Sequence, residues 1–205
     1  MKTTPDLSLI LACYNETDVF VGSVARIVNV LNTSTLRYEI IFVDDGSRDG
    51  TQKLIKAACE KYSNCRDIYH IVNQGRGKTV ADGITASVGK VAGYIDIDCE
   101  VGPEYIPRMV HLILDKKADA VIGKRVYRSS AGSLAREVLS RGYQWLSYKV
   151  IGTGGLDTET GYKFFDRKKI LPILKKTKNN GWFWDTGTMT YAHYTGLKIR
   201  EEPVL

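Results

Sequence analysis

Short apolar runs alternate with amphipathic stretches along the first half of the chain. Leu7 to Cys13 is a strand-length apolar run and predicts a buried parallel strand. It stops at Tyr14-Asn15-Glu16-Thr17-Asp18, and Val21, Val24, Ile27, Val28 and Leu31 then recur at helical spacing. Glu39 to Val43 predicts a second strand, ended by Asp44-Asp45-Gly46-Ser47, with a helix from about Thr51 to Tyr62 that Asp49 or Thr51 can cap. Asp67 to Val72 predicts a third strand, and Asn73 to Thr79 leads into a helix from about Val80 to Val88. Tyr94 to Ile97 predicts a fourth strand; after Pro103 come a helix from about Glu104 to Leu114 and a strand over Ala118 to Gly123. Further on, a helix with Pro172 near its start and another after Trp182-Phe183-Trp184-Asp185 precede Leu197 to Arg200.

This rhythm of strand and helix argues for an α/β domain with a mostly parallel central sheet flanked by helices. In such sheets ligands sit beyond the carboxyl ends of the strands. Tyr14 to Glu16, Asp44 to Ser47, Asn73 to Lys78 and Asp96 to Glu100 all follow predicted strands, so they should converge on one edge. A period of two places Asp96, Asp98 and Glu100 on one side of the chain, where like charges repel and unpartnered burial is costly. A hard divalent cation, Mg²⁺ or Mn²⁺, relieves both problems and commonly also holds substrate phosphates. An isolated Asp-x-Asp reads as readily as a solvated acidic turn, so the site rests on the convergence.

At 205 residues the chain is long enough for one domain over its whole length, and its 43% hydrophobic and 25% charged content is that of a soluble globular protein. No apolar run is long enough to cross a bilayer, and no signal-peptide pattern opens the chain. Cys13, Cys59, Cys65 and Cys99 lack paired metal-ligand spacing, so reduced thiols are expected. The net charge of +6 suits a phosphate-bearing partner, an anionic membrane or nucleic acid, without choosing among them. Aromatic and basic residues do not cluster on a predicted sheet face, which argues against RNA as the partner. Gly75-Arg76-Gly77-Lys78-Thr79 lacks the spacing of a nucleotide-triphosphate P-loop.

Ala12-Cys13-Tyr14-Asn15-Glu16, Val43-Asp44-Asp45-Gly46-Ser47, Asn73 to Lys78, Asp96-Ile97-Asp98, Asp157 to Lys163 and Glu202-Pro203-Val204, in this order and at these spacings, resemble the family 2 glycosyltransferases. Within that family the chain is most similar to transferases that load dolichyl or other polyprenyl phosphates with a hexose. The resemblance implies a GT-A nucleotide-diphospho-sugar transferase fold, and a nucleotide-sugar donor bound by Ala12, Tyr14, Glu16, Val43, Asp45, Lys78, Asp96, Ile97 and Asp98. Of these, Lys78 is expected at the diphosphate or sugar. It implies Mg²⁺ or Mn²⁺ on the DXD motif, held by Asp96, Asp98 and Glu100, and Arg125, Arg136 and Ser140 at the acceptor phosphate. Asp98, Asp157 and Arg125 become the catalytic candidates; Asp157 is the candidate base or sugar-orienting carboxylate, and Asp185 competes between that task and a structural one.

The Asp157 to Lys163 stretch leans toward glucosyl relatives, favouring UDP-glucose over GDP-mannose as donor. The implied setting is the cytoplasmic face of a membrane, held peripherally or through a segment outside this chain, where relatives continue past Glu202-Pro203-Val204. The stretch Ser133 to Ile151, with Trp145 among apolar and basic residues, suits either a membrane interface or the core. Ala12 stands where the family usually has proline, Cys13 where it has alanine, Thr79 where it has glycine, and Gly187 where a glutamate is frequent. Two other functions remain open at this point: transfer to a glycan or other hydroxyl, which needs a base, and a non-catalytic nucleotide-binding module.

Overall fold

The structure, a computed structural model, describes residues 4–126, 160–177, 181 and 183–205. Its strands are β1 (Leu7–Cys13), β2 (Tyr38–Asp44), β3 (Cys65–Tyr69), β4 (Val91–Ile95), β5 (Ala120–Arg125), β6 (Tyr162–Asp166) and β7 (Ile199–Val204). The helices are α1 (Phe20–Thr33), α2 (Thr51–Lys61), α3 (Arg76–Ala86), α4 (Ile106–Leu114), α5 (Arg167–Leu174) and α6 (Trp184–Tyr194), with a 3₁₀ turn at Pro103–Tyr105.

All seven strands join one sheet in the order β3-β2-β1-β4-β6-β5-β7. Among the described residues β6 alone runs opposite to the rest, pairing antiparallel with β4 and β5. The mostly parallel α/β expectation is therefore met. Its consequence is geometric: the carboxyl ends of six strands and the entry into β6 at Thr160-Gly161 share one edge.

Strand β1 shows why the apolar runs are unbroken. Leu7, Leu9, Leu11 and Cys13 pack on the face covered by α1, α2 and α4, whereas Ile10 packs on the face covered by α3, α5 and α6. Both faces are buried, so the period of two is hidden in the sequence. Each leucine so enclosed contributes roughly 1.5–3 kcal/mol.

Several predicted boundaries move, among them β4, which runs over Val91–Ile95 instead of Tyr94 to Ile97. Strand β3 ends at Tyr69, and Ile71 and Val72, which read as its continuation, are 98% and 61% exposed. The backbone N–H of His70 still reaches the Asp44 carbonyl at 2.9 Å, after which the chain leaves the sheet. Helix α3 starts at Arg76 instead of Val80, because Gly75 (φ 94°) turns the chain and accepts the Thr79 N–H. Pro172 sits in the second half of α5, and the helix ends two residues later. At α2 the N-cap is Gly50 instead of Asp49 or Thr51, with no side-chain cap bond, while Asp49 just before it accepts from the Thr51 N–H at 3.0 Å.

At the opposite edge of the sheet from the strand carboxyl ends, Glu39 ties β2 to its neighbours. It accepts from Ser8, from Arg66 Nε at 2.8 Å and from the Val88 N–H at 3.0 Å. Burial pushes its carboxyl up, but the hydrogen bonds from Arg66, Ser8 and Val88 outweigh burial and hold it below its ordinary value of 4.5. A depressed carboxyl stabilises the fold above the unfolded value, and that contribution is lost as pH falls through the folded one. Glu39→Gln should therefore lower the melting temperature near neutral pH and flatten its decline below pH 4.5, in a pH series of thermal melts.

Candidate active site

The four loops converge as expected. Their residues, with the carboxyl end of β5 and the start of α6, enclose a cleft of about 820 Å³ at the shared edge. Ala12, Tyr14, Glu16, Asp45, Asp96, Ile97, Asp98 and Arg125 all line it, joined by Cys13, Asn73, Gly75, Arg76, Thr79, Phe183, Asp185 and Thr186. Val43 instead lies in the core beneath, packed with Val80 and Ile84 of α3. Arg136, Ser140 and Asp157 lie outside the described residues, as does the Ser133 to Ile151 stretch.

The first two loops are fastened to each other. The Asn15 N–H donates to Ser47 Oγ, the Glu16 N–H to Thr51 Oγ1, and the Arg48 N–H to Asn15 Oδ1, at 2.8–2.9 Å. Asp44 makes an Asx-type turn, accepting from the N–H groups of Gly46 and Ser47. Gly46 needs its positive φ of 77°, and a Cβ there would press on the backbone of Val72 and Asn73 at 3.0 Å. Tyr14 is 46% exposed where it lines the cleft.

Asp45 organises the third loop. Its carboxylate accepts from the Gln74 N–H at 2.8 Å, the Gly75 N–H at 2.9 Å and faces His70 Nδ1 at 2.7 Å. Burial raises its carboxyl, but the bonds from Gln74, His70 and Gly75 win and hold it below the usual range. The side chain expected by resemblance to bind the nucleotide sugar thus already spends most of its accepting capacity on holding the loop.

Lys78 is not in the cleft. It pairs with Asp82 one turn along α3 at 2.5 Å. Residues 76 and 78 differ by about 200° around a helix, so only one can face the site. That one is Arg76, overlooked in the sequence although it stands in the same loop. Its Nη2 donates to Asp96 at 2.7 Å and its Nη1 to Asp185 at 2.6 Å. Asp185, 6% exposed, also accepts from Lys163 Nζ at 2.9 Å and from the Tyr94 hydroxyl. Burial raises its carboxyl, while Lys163 and Arg76 pull it back below the ordinary carboxylate value. A carboxylate held ionised between two cations is a poor base, and the structural task wins for Asp185.

The alternation expected for Asp96, Asp98 and Glu100 ends with β4 at Ile95. The Cys99 N–H returns to the Asp96 carbonyl and Cys99 takes φ 53°, a turn that sends Glu100 out of the cleft toward Arg125 at 3.7 Å. Glu100 borders a small adjoining recess with Asp96 and Arg125, and of the three expected carboxylates Asp96 and Asp98 line the main cleft. Burial and the nearby charges of Asp98, Asp49 and Asp96 raise the Glu16 carboxyl, an accumulation of negative charge that a cation would relieve. Among the described residues no three carboxylate, imidazole or thiol groups form a closed metal cage. Two carboxylates suit Mg²⁺ or Mn²⁺ when nucleotide phosphates complete the shell, so the donor set fits. Gly161 belongs to the same arrangement, since a Cβ there would overlap the Asp96 carboxylate.

The profile described as Glycosyl transferase family 2 matches residues 8–180, most of the chain. The chain belongs to family 2 of the glycosyltransferases. It is 25% identical to Glycosyltransferase AglD of Haloferax volcanii over 97% of this chain and 32% of that protein. It is 28% identical to the dolichyl-phosphate beta-glucosyltransferase of Dictyostelium discoideum over 97% of this chain and 65% of that one. The yeast enzyme of the same name, from Saccharomyces cerevisiae, is 26% identical with 97% and 66% covered. The chain thus spans from one third to just under two thirds of these curated relatives.

Among solved structures, glucosyl-3-phosphoglycerate synthase from Mycobacterium tuberculosis, in complex with Mn²⁺, UDP and glucosyl-3-phosphoglycerate, superposes with a TM-score of 0.71 at 19% identity, covering 97% of this chain and 69% of that one. Mannosyltransferase PcManGT from Pyrobaculum calidifontis, with GDP-Man and Mn²⁺, gives a TM-score of 0.67 at 16% identity, covering 98% and 56%. These likenesses establish that this family 2 chain has the GT-A fold.

Asp45→Ala removes the acceptor shared by Gln74, Gly75 and His70 in the family 2 cleft. Amide exchange at Gln74 and Gly75 should accelerate by at least about tenfold, with the central strands unaffected, in a residue-resolved exchange experiment.

Proposed function

We propose that this family 2 domain transfers a hexose, glucose before mannose, from a nucleotide sugar to a dolichyl or other polyprenyl phosphate, with inversion at the anomeric carbon. One observation carries the reading: four strand-end loops meet on a cleft where two carboxylates, Asp96 and Asp98, lie beside two arginines, Arg76 and Arg125. A nucleoside diphosphate presents stacking, hydrogen-bonding and anionic parts in one molecule, and this cleft offers a counterpart to each. The glucosyl preference and the lipid phosphate are supported by the names of the Dictyostelium and yeast relatives.

In this reading Tyr14 flanks the base, with Ala12 and Cys13, just before it in the chain, lining the same cleft. Asp96 and Asp98 hold Mg²⁺ or Mn²⁺, which when bound supplies positive charge to the departing diphosphate. Arg76 offers a guanidinium to the same oxygens, whose planar donors suit phosphate. Arg125, at the end of β5, is offered to the acceptor phosphate together with Arg136 and Ser140. An acceptor phosphate oxygen forms the new bond to the anomeric carbon while the bond from that carbon to the diphosphate breaks. The leaving diphosphate takes the electron pair, and one displacement inverts the centre. A phosphate nucleophile is already anionic near neutral pH, so the chain need not supply a base; Asp157 then serves to orient the sugar.

The lipid acceptor places the work at a membrane, the cytoplasmic face being the side where nucleotide sugars are available, with the domain held peripherally or through a segment outside this chain. No described helix is long and apolar enough to cross a bilayer.

Thermal melts with UDP-glucose and GDP-mannose, with and without Mn²⁺, test the donor. UDP-glucose with Mn²⁺ should stabilise most, and at a hundred times its dissociation constant by about 2.7 kcal/mol. Asp98→Asn should lose that response. Label should pass from the preferred donor to polyprenyl phosphate, with Asp157→Asn weakened but active. Transfer only to a hydroxyl acceptor, abolished by Asp157→Asn, would replace the lipid-phosphate reading, and silence toward every donor would remove it.

A further inference from the structure

Arg76 does more in this structure than line a cleft. It is gripped at one end by Asp185, which is 6% exposed and is itself bonded by Lys163 and Tyr94. Its other nitrogen reaches Asp96, whose side chain is 40% exposed, at 2.7 Å. The two ends are unequal. The Asp185 end is nearly buried, its side chain 8% exposed, and is held by β4 and β6, while the Asp96 end is the more open. A guanidinium anchored in this way can give up the open contact without leaving its place.

We infer that Arg76 is the resident counter-charge of Asp96, a positioning residue that restrains cation binding at the rim until an anion engages the guanidinium. This rests on the proposed function for the identity of the anion, a nucleoside diphosphate, but not for the effect on the cation. With Arg76 bonded to Asp96, a divalent ion meets a carboxylate already paired and a positive charge beside it. A diphosphate facing Arg76 draws the guanidinium off Asp96 and exposes that carboxylate to the cation. Cation and diphosphate therefore bind cooperatively, and the cation alone binds weakly.

The test is Mn²⁺ binding followed by the loss of the free-ion paramagnetic resonance signal, first without nucleotide and then with UDP. Arg76→Gln should bind Mn²⁺ alone about tenfold more tightly than the parent chain. The same variant should lose the gain in Mn²⁺ affinity that UDP gives the parent. Opposite signs on the two ligands are what a merely structural defect cannot produce, since misfolding weakens both.

Lys78→Gln removes a nearby positive charge that does not touch Asp96, and should leave Mn²⁺ affinity at the parent value. Asp96→Asn in the Arg76→Gln background should abolish the gain. Arg76→Lys keeps the charge but not the fork, and should fall between the parent and Arg76→Gln. The inference is overturned if Arg76→Gln binds Mn²⁺ no more tightly than the parent, or if Lys78→Gln tightens it equally. Failure of the proposed function looks different: the parent then shows no response to UDP, while the effect of Arg76→Gln on Mn²⁺ alone persists.

Discussion

A carboxylate as buried as Asp185 survives only with compensation, and in this chain the compensation is also the scaffold of the cleft. Lys163 from β6, Tyr94 from β4 and Arg76 from the start of α3 all converge on it from separate elements. Removing either cation would leave Asp185 with the other and the Tyr94 hydroxyl, at a cost in stability but without an unpaired buried charge. The positions of β6, α3 and α6 at the carboxyl edge are thereby coupled. Through Arg76 the coupling reaches Asp96, the first acidic residue of the rim.

The rest of the edge follows from the sheet. Parallel strands deliver their loops to one side, and side chains of those loops lock to one another through Asn15, Ser47, Asp49 and Thr51. Asp45 then fixes the third loop to the second through backbone N–H groups of Gln74 and Gly75. The cleft is thus built mostly from local hydrogen bonds on a rigid base. Asp96, Asp98, Arg76 and Arg125 line the cleft on this base.

The order of strands and helices from β1 to β5 was legible because the relevant signals are local, whereas the strand β6 was not read from its motif residues. Apolar runs of strand length and helical spacing in Val24, Ile27, Val28 and Leu31 require no knowledge of neighbours. The convergence of the loops was legible too, once the parallel sheet was inferred. What failed was what depends on distant partners. Ile71 and Val72 are apolar yet outside, so their pattern extended β3 falsely. Glu100 shares a spacing with Asp96 and Asp98, but Cys99 turns the chain and the spacing loses its meaning. The choice of Lys78 over Arg76 required the rotation of α3, which Gly75 sets. Lys163 looked like an ordinary motif lysine, and its complete burial against Asp185 is a property of the packed sheet.

The central claim is that the acidic end of β4 and the guanidinium opposite it form one receptor for a cation and a diphosphate. A crystal grown with UDP and Mn²⁺, measured at a wavelength where manganese scatters anomalously, addresses it directly. The account predicts an anomalous peak within coordinating distance of Asp98, bridged to diphosphate oxygens, with the base beside Tyr14. A peak elsewhere, or a nucleotide bound away from the loops that follow β1 and β2, would contradict it.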